Sequence, residues 1–196
     1  MLPGVTYLPP AARGDVARAA EEHDVVLLID GVFHHDLAPT PKEVFAACGR
    51  ALILGASSMG ALRAAECRAY GAVPIGVIAG WYASERLQGD DEVAVLMHPT
   101  THVALTVPSV NVRYVARLAV RRGIMPREAA ELWVQRARTE IYYAERSWPA
   151  AVALAPPMVR NSLLRIARSE GDLKRWDARF ALRRASDSRE RRFVRA

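Results

Sequence analysis

The sequence predicts an α/β protein, a small parallel sheet flanked by helices with a helical C-terminal part. Three observations carry that prediction. Val25-Val-Leu-Leu-Ile-Asp30 is an unbroken apolar run closed by Asp-Gly. Ala51-Leu-Ile-Leu54, broken at Gly55, and Val73 to Ile78 are two further short apolar runs. The segments between them space their apolar residues at helical intervals. Strand-sized continuous apolar runs suit strands buried on both faces, and strands that alternate with helices pair in parallel.

Element by element, Asp15 to Glu22 reads as a short helix ahead of the first strand, and Gly31 to Pro41 as a polar loop containing histidines. Pro41 opens a helix through Cys48, with Thr40 as its cap and Gly49 as its stop. Met59 to Tyr70 is helical, with Met59, Leu62, Ala65 and Cys67 among its apolar positions. Downstream, helices are expected over Asp90 to Met97, over Val110 to Arg122, and from Pro126 to about Trp148. Pro156-Pro157 marks a break, two basic helices follow, and the charged Ser186 to Ala196 is expected to fray. The predicted division is an α/β core over residues 1–115 and a basic helical region over 116–196.

Half of the 196 residues are hydrophobic (51%), which allows one well-buried domain and argues against disorder. The net charge of +6 is uneven: residues 151–196 carry a balance of +7, and the first 150 one of −1. That tail suits an acidic partner or a solvated face, and no recognition motif supports nucleic acid. Nothing resembles a signal peptide, because Pro3, Pro9 and Pro10 interrupt the first apolar residues. No apolar run approaches the roughly 20 residues of a membrane span. Cys48 and Cys67 read as reduced packing residues, and the expected compartment is the cytoplasm.

Chemistry concentrates at Gly55-Ala-Ser-Ser-Met-Gly60. Functional loops of a parallel sheet gather at the carboxyl ends of its strands, where Asp30 and Gly55 both lie. Small-x-Ser-x-Gly spacing approximates a nucleophile elbow at Ser58. The amides of Met59 and Gly60, at a helix start, would face a developing oxyanion. A helix opened by Pro41 runs antiparallel to the strands, so its first turn returns to the same edge and brings Lys42 toward Ser57 and Ser58. A buried lysine can act as a base, whereas arginine in practice cannot. The chain has 25 arginines and only two lysines, Lys42 and Lys174. The opposing reading is a helix cap or anion cradle that performs no chemistry.

Other residues carry two readings each. Arg63 would steady a carboxylate, or pair with Glu66 three residues on. Asp30 would orient Lys42, or simply close a strand. Asp90-Asp91-Glu92 would grip a partner or a cation, or cap a helix. His34-His35 and His98 with His102 do not place a third metal ligand by spacing, so no metal is expected. Trp133, Tyr142 and Tyr143 suit a core or an interface.

Leu28-Ile-Asp-Gly31, Pro41-Lys-Glu43, Gly55-Ala-Ser-Ser-Met-Gly-Ala-Leu-Arg-Ala-Ala-Glu66, Tyr70-Gly71, Asp90-Asp-Glu-Val-Ala94, His98 and Val110-Asn-Val-Arg113 together resemble the TfuA-like family over residues 25–113. The resemblance implies a cytoplasmic partner of a YcaO-family ATP-dependent enzyme in the thioamidation of a peptide or protein backbone. It implies action on the C-terminal thiocarboxylate of a ThiS-like sulfur carrier, releasing sulfide through a Ser-Lys pair and without a cofactor. On that basis Lys42 is the base, Ser58 or Ser57 the nucleophile, and Asn111 and Arg113 are family positions that line the cleft or serve the core. The alternative is a non-catalytic adaptor for the YcaO enzyme, carrier and peptide.

Overall fold

The computed structural model describes residues 4–33 and 37–190. In chain order the elements are α1 (Asp15–Glu22), β1 (Val25–Leu28), α2 (Pro41–Ala47), β2 (Leu52–Gly55), α3 (Met59–Glu66), β3 (Val73–Pro74), α4 (Gly76–Ala83), α5 (Ser109–Arg121), α6 (Arg127–Thr139), α7 (Trp148–Ala153), α8 (Arg160–Glu170) and α9 (Leu173–Glu190). They form two compact units, Met1–Gln88 with Arg175–Ala196, and Gly89–Lys174.

The first unit holds the sheet, in the order β1-β2-β3 with both pairs parallel. Val26 lies opposite Ile53 and Leu28 opposite Gly55, so Val26, Leu28 and Ile53 share one face. Val16 and Ala20 of α1, Val44 and Ala47 of α2, and Ala64 of α3 close over that face in one apolar cluster. Thr40 caps α2 as the sequence predicts, its hydroxyl accepting from the Glu43 amide at 3.2 Å. The helix after the serine turn is shorter than predicted; it stops at Glu66, and Arg68–Tyr70 form a 3-10 turn.

Val73 to Ile78 is not one strand. β3 has two residues, and at Gly76 (φ +95) the chain turns into α4. The cause lies far along the chain. The fully buried Asp177 carboxylate of α9 accepts from the amides of Val77 (2.9 Å) and Ile78 (2.8 Å) and so caps α4. A Cβ on Gly76 would meet the Asp177 carboxyl carbon at 2.6 Å, so glycine is required there.

The second unit is helical, built on Val115, Ala119, Trp133, Val152 and Leu163. Asp90 to Met97 is not a helix: it is a turn followed by the first arm of a small hairpin, bridged at Met97 and Ala104. α6 ends at Thr139 rather than near Trp148. The nearly buried Arg146 guanidinium accounts for the stop, since it donates to the carbonyls of Ala137, Ile141 and Val107 at 3.1 to 3.4 Å. Carbonyls that another turn of helix would have used are satisfied by this side chain instead. The helix through Ser186 continues to Glu190, and 191–196 lie outside the described residues.

Candidate functional site: the serine turn

The turn between β2 and α3 is built by two close approaches. A Cβ on Gly60 would sit 1.9 Å from the Leu28 carbonyl oxygen, and one on Gly55 would sit 2.2 Å from the Gly60 carbonyl oxygen. Only glycine at both positions lets α3 cross the strand ends this closely. The Ile29 carbonyl then accepts from the amides of both Ser58 and Gly60, each at 3.2 Å. The turn is thereby tied to the end of β1. Ser57 sits between these anchors in the left-handed region, at φ +69, a conformation that L side chains adopt sparingly.

Ser58 occupies the N-cap position of α3, yet its side chain makes no capping bond. It is fully buried, and its Oγ has no hydrogen-bond partner among the described residues. A buried hydroxyl without a partner carries a desolvation cost of roughly 1–3 kcal/mol. The usual structural reason for serine at a helix start is therefore missing here. The Met59 amide, at the first helical position, makes no hydrogen bond among the described residues. The Gly60 amide, expected beside it facing an oxyanion, is spent on Ile29.

Lys42 is exposed in the first turn of α2. β1 and β2 are adjacent, as the topological placement of Lys42 requires. The contacts that seat this turn are made to the body of α3: Arg63 Nε donates to the Pro39 carbonyl at 2.7 Å, and Cys67 Sγ to the Pro41 carbonyl at 3.3 Å. Arg63 also pairs with Glu66 at 2.7 Å. Asp30 closes the strand end by accepting from the Gly31 amide at 3.0 Å.

Sequence reasoning gave Glu43 no role of its own. Its Oε1 accepts from the amides of Gly14 (2.9 Å), Val16 (3.0 Å) and Ala17 (3.4 Å), so it caps α1 from across the unit and pins the first turn of α2. An acidic residue one position past Lys42 was the only signal available. Burial pushes the Cys48 and Cys67 thiols up, which keeps them protonated packing groups.

Asn111 and Arg113 lie on α5, in the second unit. Asn111 accepts from the Lys174 amide at 3.3 Å and donates to Asp172 at 3.5 Å. Arg113 binds Glu92 through two bonds, at 2.9 and 2.6 Å. Glu92, completely buried, also pairs with Arg138 at 3.0 Å, and Asp91 meets the same arginine at 3.1 Å. Asp91 and Glu92 thus tie α5 and α6 together through Arg113 and Arg138. His98 Nδ1 accepts from the Thr100 and Thr101 amides and organises the hairpin turn. His34 and His35 lie outside the described residues, among which no three of His, Cys, Asp and Glu gather as metal ligands would.

Comparison with protein families matches residues 30–147, more than half of the chain, to the TfuA-like protein family. The chain belongs to the TfuA-like family. Comparison with curated proteins found no match. The TfuA-like match takes in both the serine turn and the Glu92–Arg113 pair, and it stops before α7, α8 and α9. No helix among the described residues of this TfuA-like chain is long and apolar enough to cross a membrane.

Proposed function

We propose that the protein hydrolyses the C-terminal thiocarboxylate of a ThiS-like sulfur carrier. It would supply sulfide to a YcaO-family ATP-dependent enzyme that thioamidates a peptide or protein backbone. The observation that carries this reading is Ser58: a buried hydroxyl without a partner, at the start of a helix, next to a residue held at φ +69. In the proposed step the Ser58 Oγ attacks the thiocarboxylate carbon while Lys42 takes its proton. The C–S bond breaks, that proton passes to the departing sulfur, and hydrosulfide leaves behind an acyl-serine. Water then cleaves the ester, freeing a carboxylate and restoring the serine. The Met59 amide is the donor available to the oxyanion. Arg63 already binds Pro39 and Glu66, so its part is to hold the α2 turn against α3.

Lys42 is exposed and Ser58 is covered in the unliganded chain, so the reading makes a demand on the carrier. Its tail must open the serine turn and reach Lys42, excluding bulk water from the pair. Sulfide release from a thiocarboxylated ThiS-like carrier tests this. Ser58→Ala and Lys42→Ala should each lower release on the order of 10³-fold, and Ser57→Ala should retain more activity than Ser58→Ala.

The same two exposures favour a second reading, an adaptor in which the turn grips the carrier terminus and the partner enzyme does the chemistry. Carrier binding by the intact protein, with no sulfide released at any protein concentration, would select the adaptor.

A further inference from the structure

The last helix presents its largest apolar side chains to solvent. Asp177 and Ala181 of α9 face inward and are fully buried. Trp176 and Phe180, one turn apart and about 100° round the helix from that buried pair, are 52% and 40% exposed. Their rings are stacked, at 3° between planes and 5.5 Å between centroids, so the pair forms one exposed apolar block. Arg179 and Arg183 stand beside it, exposed, and neither makes an ion pair among the described residues. A helix that merely covered its own unit would point Trp and Phe inward and leave the alanine outside. The capping bonds of Asp177 turn its own side of α9 toward α4, which leaves the neighbouring aromatic face at the edge of the contact.

We infer that this face docks an acidic amphipathic helix of a partner protein. Apolar anchors at i and i+4 with cations at i+3 and i+7 match a helix that carries an apolar stripe edged by carboxylates. Complementarity of charge sets the partner's sign: Arg179 and Arg183 place two positive charges alongside the aromatic pair, and no exposed carboxylate of α9 between Arg175 and Ser186 offsets them. The two rings are stacked on one another and leave no slot between them for a base. The inference is independent of the Ser58 chemistry.

The test uses the full chain and a fluorescein-labelled synthetic peptide of about 20 residues, long enough to form a helix. It carries leucine at helical spacing with flanking glutamates. A peptide with glutamine for glutamate and a labelled oligo-dT strand serve as comparisons, all read by fluorescence anisotropy. The acidic peptide should bind, and the glutamine peptide should bind tenfold or more weakly. Trp176→Ala with Phe180→Ala, and separately Arg179→Glu with Arg183→Glu, should each weaken binding by a similar factor. Circular dichroism confirms that each variant remains folded. Should the aromatic variant unfold, the charge-reversed one reads the same contact by itself. Failure of the acidic peptide to bind, equal binding of both peptides, or binding unchanged by the charge reversal would overturn the inference. Tighter, salt-sensitive binding of oligo-dT would overturn it in favour of a nucleic-acid surface.

Discussion

The serine turn and the Glu92 cluster both bury polar groups, and they treat them in opposite ways. Glu92 is completely buried, and its two oxygens are met by Arg113 and Arg138. Ser58 is equally buried, and its Oγ meets nothing. Fulfilled polar groups of the first kind hold elements in register, and their cost is offset where they sit. An unfulfilled hydroxyl is a cost awaiting a ligand. Absence of a partner does not by itself mark a site, because Ser109 Oγ, Glu43 Oε2 and Arg138 Nε are also buried without one. Ser58 differs in its surroundings: a strand end, a neighbour at φ +69, and the Met59 amide beside it.

The comparison breaks most readily at Gly60. If the turn is a rigid frame around Ser58, Gly60→Ala must fail, because its Cβ would lie 1.9 Å from a backbone oxygen that cannot step aside. The expected loss is about 3 kcal/mol or more in urea unfolding. A variant that unfolds within about 1 kcal/mol of the parent would show a turn loose enough to cost Ser58 its special status.

Glu92→Gln probes the other region and should cost about 2 kcal/mol. That is below the roughly 3–5 kcal/mol of a wholly buried broken pair, since the Arg113 and Arg138 side chains are 29% and 33% exposed and water takes up part of their charge. Sulfide release per folded molecule should be unchanged. A fall in activity without a fall in stability would move Glu92 out of the structural class.

How much of this the sequence disclosed depended on how far away each cause lies. The first two strands, the α2 cap at Thr40 and the serine turn follow from neighbours within a few residues, and all three were legible. Gly55 and Gly60 announced a tight turn, although nothing local showed that the Ile29 carbonyl takes the Gly60 amide. The first residues of α4 fall within the strand expected over Val73 to Ile78 because the cap of that helix, Asp177, stands 100 residues beyond Val77. Asp90-Asp91-Glu92 looked like a helix start because the arginines that claim it lie on two later helices. The end of α6 escaped notice because nothing in the local sequence marks Arg146 as a buried side chain, and buried arginines are rare. Glu43 was quoted only as a neighbour of Lys42, and its capping of α1 spans 29 residues to Gly14.

Asp177 sharpens the comparison through pH, as a buried carboxylate with partners of a weaker kind than arginine. Burial raises its pKa above the ordinary aspartate value of 3.8, and the two amide bonds only partly oppose that. Between the unfolded and the raised folded value, the folded state binds more protons. Stability therefore falls as pH rises through that window, and the penalty persists above it. Asp177→Asn should lose this part of the pH dependence, so the two unfolding profiles lie closest at low pH, where both side chains are neutral, and diverge as pH rises through the window. Parallel profiles would mean that the helix start of α4 holds the carboxylate charged at no cost.

The smallest expected effect is also the most discriminating. Ser58→Ala removes a hydroxyl that bonds to nothing, so the folded protein loses no interaction and sheds a desolvation cost. Stability should stay level or rise by about 1 kcal/mol. A stabilised variant that no longer releases sulfide would show that the turn tolerates a cost for its chemistry, whereas the buried Glu92 carboxylate is met by two arginines. A loss of about 1 kcal/mol or more would mean instead that Ser58 serves the turn as an ordinary helix cap does, and the contrast between the two regions would disappear.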